Sequence, residues 1–205
     1  MTSPAYRIHT SRLILRCWNP TDAPRLKAAV DESRQHLKEW MPWAEGEPEE
    51  LQIYIDRLRS FRAKFDLGED FIYGIFSRDE TKVLGGSGLH TRRGKDIREI
   101  GYWLHKDYLN QGLITEASAA LTRVAFEVDQ VHRTEIRCDP KNVRSTVIPR
   151  KLGYTLEATF REDTKLSNGE WRDTMVWVLL AGEYPNTLSA RAEIEAFDVM
   201  GRKLI

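Results

Sequence analysis

Apolar and polar positions alternate early in the chain. Residues 6–16 read Tyr-Arg-Ile-His-Thr-Ser-Arg-Leu-Ile-Leu-Arg, and Leu13-Ile14-Leu15 predicts a first strand. Asn19-Pro20-Thr21-Asp22 has turn chemistry, with Thr21 or Asp22 placed to cap a helix. Leu26, Ala29, Val30 and Ser33 then share one helical face, and that helix is expected to end near His36 to Trp40. Pro42 and Pro48 break the chain around Trp40-Met41-Pro42-Trp43. A second helix is expected from about Glu49, with acidic residues in its first turn, where the helix dipole favours them. Leu51, Ile55, Leu58, Arg59 and Arg62 follow at helical spacing.

From residue 71 onward, short apolar runs separated by turn residues take over. Residues 71–76 and 83–89 predict two strands around the turn Arg78-Asp79-Glu80-Thr81, and residues 99–104 predict a third. Gly101 sits inside that third strand, where glycine marks a bulge or a close approach by another chain. An Ala-rich helix follows to about Val128, then a strand at 134–138 and a short helix at 142–151 ended by Gly153. Strands at 154–160 and 174–180, joined around Ser167-Asn168-Gly169, complete the pattern. This order predicts an α/β fold, with a mixed, mostly antiparallel central sheet and helices on both faces. Residues 1–184 read as one domain and 185–205 as a C-terminal extension. Leu188, Ile194, Phe197, Val199 and Leu204 in the extension are apolar enough to pack on the domain or on a second subunit of a homodimer.

Composition narrows the function classes. The 205 residues are 41% hydrophobic and 30% charged, which is globular rather than disordered. Lys+Arg and Asp+Glu both number 31, so net charge gives no case for a nucleic-acid or membrane partner. No run approaches the roughly 20 apolar residues that span a bilayer, and no apolar signal stretch follows Met1; the expected location is the cytoplasm. Cys17 and Cys138 are too few for a disulfide framework and lack metal-ligand spacing, so no metal is expected.

Two stretches carry candidate chemistry. In the first, Gly112 opens a helix at Leu113; a helix N-terminus presents unpaired N–H groups to an anion, and glycine lets a diphosphate approach the backbone. Read alone, the same stretch is also a simple strand-to-helix turn. It lacks the Gly-Lys-Ser/Thr of a Walker loop and two of the three glycines of a dinucleotide fingerprint. In the second, Asn142 can cap a helix, with Ser145 one turn along the same face; a capped helix packing Val147, Ile148 and Leu152 explains it equally well.

Together these segments resemble the GNAT superfamily of acetyltransferases. Gly101-Tyr102-Trp103-Leu104 with Gln111-Gly112-Leu113-Ile114-Thr115-Glu116-Ala117 is similar to its acetyl-coenzyme A motif. Asn142-x-x-Ser145 with Lys151-Leu152-Gly153-Tyr154 is similar to the motif that follows it. Thr10-Ser11-Arg12-Leu13-Ile14-Leu15-Arg16 and Leu37-Lys38-Glu39-Trp40-Met41-Pro42-Trp43 resemble the first strand and the tryptophan loop of the RimJ/RimL group, which acetylates ribosomal-protein N-termini. The likeness runs from about residue 9 to 181. One departure stands out: where the family usually reads Gln/Arg-x-x-Gly-x-Gly/Ala, this chain has Leu109 first and Ile114 last.

The resemblance implies a GNAT fold and direct acetyl transfer from acetyl-coenzyme A to an amine. The acceptor is expected to be a protein α-amine. The alternatives are a small-molecule amine, or a coenzyme A-binding module without turnover. The reaction needs a proton acceptor, an oxyanion donor and a proton source for the thiolate. By resemblance, Ser145 donates to the thiolate and Asn142 bonds the pantetheine arm. Trp103, Leu104, Lys151 and the segment Leu109, Asn110, Gln111, Gly112, Leu113, Ile114 and Thr115 are expected at the cofactor. Trp40, Trp43 and Tyr102 are expected on the acceptor side, although Trp103 also suits a core position. For the base, Glu99 is placed first, turned into the cleft by a bulge near Gly101. Glu162 and Asp163 are its rivals, and His90 and His105 rank below.

Overall fold

The computed structural model describes residues 3–46, 48–166 and 169–205. Nine strands form one sheet: β1 (Arg7–His9), β2 (Leu13–Cys17), β3 (Phe71–Ser77), β4 (Val83–His90), β5 (Ile97–Leu104), β6 (Arg133–Cys138), β7 (Thr155–Lys165), β8 (Trp171–Leu180) and β9 (Glu195–Phe197). Four α-helices accompany it: α1 (Ala23–Lys38), α2 (Leu51–Leu67), α3 (Leu113–Glu127) and α4 (Val143–Lys151). The spatial order is β7-β8-β6-β5-β4-β3-β2-β1-β9. Every neighbouring pair is antiparallel except β5–β6. The mixed, mostly antiparallel sheet expected from the element order is therefore present. Among the described residues no helix is long and apolar enough to cross a membrane.

Strand alternation sorts the core into two layers. On β2, Ile14 faces α1 and α2, where it joins Leu26, Val30, Tyr54, Leu58 and Phe76. Its neighbours Leu13 and Leu15 face the other way, toward α3, with Ile75, Ile100, Ala117, Leu121 and Ile136. The register Ile14↔Phe76 and Leu15↔Ile75 keeps both sets aligned across the sheet. On α1, Leu26, Ala29, Val30, Ser33 and Leu37 are all buried, as their spacing predicts.

Local differences from the sequence reading have clear causes. Asp22 stands at the N-terminus of α1 but does not cap it. Its carboxylate accepts from Arg16 Nη1 and Nη2 at 2.8 and 2.9 Å and from the Asn19 N–H at 2.9 Å. α2 begins at Leu51 rather than Glu49, so both glutamates precede its first turn. That helix buries Tyr54, Leu58 and Phe65, while Leu51 stays exposed. Of the expected β7–β8 turn, Ser167 and Asn168 lie outside the described residues. The C-terminal segment returns to the sheet: β9 pairs with β1 through Arg7↔Phe197, Ile8↔Ala196 and His9↔Glu195, burying Ala196 completely.

Candidate active site

The site begins where two strands part. β5 and β6 pair in parallel from Ile97↔Arg133 to Ile100↔Ile136 and no further. Beyond that point β6 stays with β8 as far as Cys138↔Met175, and β5 stays with β4 as far as Gly85↔Leu104. A gap opens between residues 101–104 of β5 and the end of β6. The His105 N–H donates to the Leu84 carbonyl. In an antiparallel ladder the direction of the backbone groups alternates, so those of Tyr102 and Leu104 point away from β4 and into the gap. The β4–β5 register runs unbroken through Gly88↔Gly101, so the bulge expected at Gly101 is absent. What Gly88 and Gly101 accommodate is the imidazole of His90. A Cβ on Gly88 would lie 2.8 Å from His90 Nε2, and one on Gly101 would lie 3.4 Å from it.

At one end of the gap α3 starts. Gly112 has φ +75° and precedes Leu113, a conformation that favours glycine. The first amide of this turn to bond back is that of Glu116, to the Gly112 carbonyl at 3.1 Å. The N–H groups of residues 113–115 are left at a positive dipole end. The two departures from the family pattern turn inward: Ile114 is buried in the core, and Leu109 packs against it. Leu104 and Leu113 are buried too, so these residues offer a ligand only their backbone. The loop is braced from β2's approach. Glu116 accepts from Thr10 Oγ1 at 2.6 Å, the Arg12 N–H at 2.9 Å and Arg12 Nε at 2.6 Å. Burial alone would raise its pKa; these bonds outweigh it and hold the carboxyl below its ordinary value. Arg12 Nη1 also donates to the Gln111 carbonyl at 2.9 Å.

On the α1–α2 side of the gap lies an open cavity of about 730 Å³. Its wall includes Trp40, Trp43, Trp103, Tyr102, Asn142 and Ser145. Trp43 stands edge-on to Trp103, with ring centroids 6.0 Å apart, and is 47% exposed. Ser145 Oγ donates to the Tyr102 hydroxyl at 3.4 Å, and that hydroxyl donates to the Ser145 carbonyl at 3.3 Å. Burial raises the Tyr102 pKa, with the Ser145 contact opposing it. Asn142 Oδ1 accepts from the Ser145 N–H at 3.1 Å, capping α4, so a ligand would meet its amide nitrogen instead. Lys151 is exposed in the last turn of α4 and is not part of this wall. Cys138 also lines the cavity; burial pushes its thiol up to about 11.

The expected bases separate. Glu99 lines the cavity, but Arg92 Nη1 donates to its Oε1 at 2.7 Å and Arg137 Nε lies 3.7 Å from its Oε2. Arg92 thus ties one oxygen of the carboxylate in an ion pair, with Arg137 beside the other. Between Phe160↔Thr174 and Thr164↔Arg172, β7 has three residues where β8 has one. Glu162 lies in this bulge at φ +50°, exposed and outside the cavity wall, whereas Asp163 lines it. His105 is buried against Glu32 at 3.1 Å, away from the cavity wall. His90 lines the cavity, with Nδ1 3.0 Å from Asp70 Oδ1. Reading the sequence gave no role to Arg12, Glu116 or Asp70, because each acts through a partner far away in the chain.

The family described as the acetyltransferase (GNAT) domain matches residues 12–155. This chain belongs to the GNAT acetyltransferases. The [ribosomal protein uS5]-alanine N-acetyltransferase of Escherichia coli K12 is 27% identical over 186 residues, covering 88% of this chain and 94% of the relative. The putative ribosomal N-acetyltransferase YdaF of Bacillus subtilis 168 is 26% identical, covering 84% and 93%. Among solved structures, the RimL ribosomal L7/L12 α-N-protein acetyltransferase with coenzyme A superposes with a TM-score of 0.76 at 20% identity, over 88% of this chain and 98% of that one. The microcin C7 self-immunity acetyltransferase MccE, with acetyl-CoA and AMP, also scores 0.76, at 18% identity over 83% and 93%. These two likenesses show the fold. The GNAT donor substrate is acetyl-coenzyme A, and the residues present fit it: free N–H groups at residues 113–115 suit a diphosphate, and the outward backbone of Tyr102 and Leu104 suits an extended amide-bearing arm.

Proposed function

We propose that this protein acetylates the N-terminal α-amine of a protein, by direct attack of the amine on acetyl-coenzyme A. The observation that carries the proposal is the continuity of two features. The aromatic cavity of Trp40, Trp43 and Trp103 is open to solvent and runs to the Tyr102–Ser145 hydroxyl pair beside the strand gap. A chain end can enter such a cleft while the rest of its protein stays outside. The names of the relatives, which act on ribosomal-protein alanine and serine termini, support the same acceptor class. They also support a location in the cytoplasm.

Acetyl-coenzyme A supplies a thioester whose carbonyl carbon is the electrophile. The N–H groups of residues 113–115 hold the diphosphate, and Arg12 and Glu116 brace the loop that presents them. A backbone N–H of Tyr102 or Leu104 polarises the carbonyl oxygen, because it points into the gap and costs no reorganisation. Ser145 Oγ, which donates to the Tyr102 hydroxyl at rest, turns its proton to the departing sulfur and takes up the proton the attacking nitrogen gives up. Asn142 holds Ser145 in place by capping α4. The test is acetyl-coenzyme A consumption with peptides beginning in Ala or Ser, beside the same peptides already N-acetylated. Free peptides should gain one acetyl group at the terminus by mass, and blocked peptides should consume nothing. Equal consumption with and without a free terminus overturns the assignment.

A further inference from the structure

Direct transfer needs the attacking nitrogen to be neutral, and an α-ammonium must lose a proton to become so. The carboxylates on the cavity wall are poorly suited to take it. Glu99 is tied to Arg92 and flanked by Arg137; Asp139 Oδ1 accepts from the Lys141 N–H at 2.7 Å; Asp163 is exposed at the β7 bulge. The remaining basic group is an imidazole. His90 ends β4, and its side chain is 12% exposed. Its Nδ1 lies 3.0 and 3.1 Å from the two oxygens of Asp70.

Asp70 is delivered by the end of α2. Gly68 closes the helix in a left-handed conformation, and the Asp70 N–H bonds back to the Lys64 carbonyl, which sets the carboxylate against β4. Burial alone would raise the Asp70 pKa; the His90 bond outweighs it and holds the group below its ordinary value. An ionised carboxylate only accepts, so the Nδ1 facing it carries the hydrogen, and in the neutral ring Nε2 carries the lone pair. Among the described residues Nε2 has no hydrogen-bond partner. It lies over Gly88 and Gly101 and lines the same cavity as Tyr102 and Ser145. A side chain at Gly88 would displace it.

We propose that His90 is the proton acceptor for the incoming amine and that Asp70 is its positioning residue. The proposal rests on the acetyl-transfer reading above. One proton leaves the ammonium for Nε2, giving an imidazolium paired with Asp70. The nitrogen lone pair forms the C–N bond at the thioester carbonyl carbon, and the C–S bond breaks with its electron pair going to sulfur. The second nitrogen proton passes through the Ser145–Tyr102 pair to the thiolate. The imidazolium then releases its proton to water, so each turnover yields amide, thiol and one proton.

The test measures kcat, KM and acetyl-coenzyme A affinity for parent, His90→Ala and Asp70→Asn with an N-terminal Ala peptide. His90→Ala leaves an imidazole-sized space above Gly88 and Gly101. Its kcat should fall at least about 100-fold with acetyl-coenzyme A affinity unchanged, and added imidazole should restore rate in proportion to its concentration. Asp70→Asn can donate to Nδ1 and force the hydrogen onto Nε2, so a comparable fall is expected without rescue. Parent-like kcat in either variant overturns the proposal, as does a lost rate that imidazole leaves unchanged in folded His90→Ala. Should His90→Ala fail to fold, Asp70→Asn decides. A parent inactive on every free amine overturns the acetyl-transfer reading, and the dyad with it.

Discussion

Ser145→Ala separates chemistry from fold cleanly, because the structure uses the two halves of this residue differently. The backbone N–H of Ser145 donates to the capping Asn142 Oδ1 at 3.1 Å, and alanine keeps that N–H. The hydroxyl makes one long contact, 3.4 Å to the Tyr102 hydroxyl. A net hydrogen bond of good geometry contributes about 1 kcal/mol, so losing this one should cost less than that. Alanine also suits a helix better than serine. The expected stability change is therefore within about 1 kcal/mol of zero. If the hydroxyl protonates the departing sulfur, turnover should fall roughly ten- to a thousand-fold, or about 1.4 to 4.1 kcal/mol of barrier at 1.36 kcal/mol per tenfold. Acetyl-coenzyme A affinity should barely move. Asn142→Ala is the contrast: it removes the cap and should cost about 1 kcal/mol of stability. Urea unfolding, calorimetry and thiol-release kinetics on both variants give the readings. Unchanged turnover in Ser145→Ala would refute the role and leave Ser145 as part of a capped helix.

Gly112→Asp places a side chain and a negative charge where the diphosphate should sit; acetyl-coenzyme A affinity should fall at least about 100-fold by calorimetry, while Gly112→Ala, which carries the φ +75° strain without the charge, should fall less. Arg98 Nε donates to Asp129 Oδ2 at 2.8 Å, both side chains are under 10% exposed, and burial raises the Asp129 pKa despite Arg98. Arg98→Met should therefore cost about 3–5 kcal/mol, lowering Tm by roughly 10 °C in a thermal melt. Burial opposes ionisation of Asp22, but its bonds to Arg16, the Asn19 N–H and Arg25 outweigh burial and depress its pKa. Its contribution is present above the unfolded value near 3.9 and is lost as pH falls through the lower folded value. Urea midpoints should show Asp22→Asn with a lower plateau and a shallower acid limb than the parent.

The fold was legible where a single element carries its own period. α1 announces its buried face at Leu26, Ala29, Val30 and Ser33, and α3 and α4 announce their starts at Gly112 and Asn142. β1 and β9 were not legible: each has three residues, and β9 forms against β1 at the other end of the chain. The helix start proposed to hold the diphosphate was readable for the same reason as the helices, since a helix N-terminus is local. The acceptor half was not. Asp70 meets His90 across 20 residues, and Glu116 meets residues 10–12 across more than 100. The glycine in β5 was noticed, but the strand runs past it without a bulge, and the His90 side chain lies over it. Glu99 suited a base by position along the strand; only its proximity to Arg92 and Arg137 shows that its oxygens are engaged.

The central claim is acetyl transfer from coenzyme A to a free protein N-terminus, and one measurement meets it directly. Parent protein is incubated with acetyl-coenzyme A and an equimolar set of peptides with free N-termini, each also carrying an internal lysine. Thiol release is followed, and the acetylated position is read by fragment mass. The account predicts one thiol released per acetyl group gained, with the label on the α-amine and with Ser145→Ala slowed at least about tenfold. Thiol release without any acetylated peptide, or acetyl groups found only on lysine side chains, would contradict it.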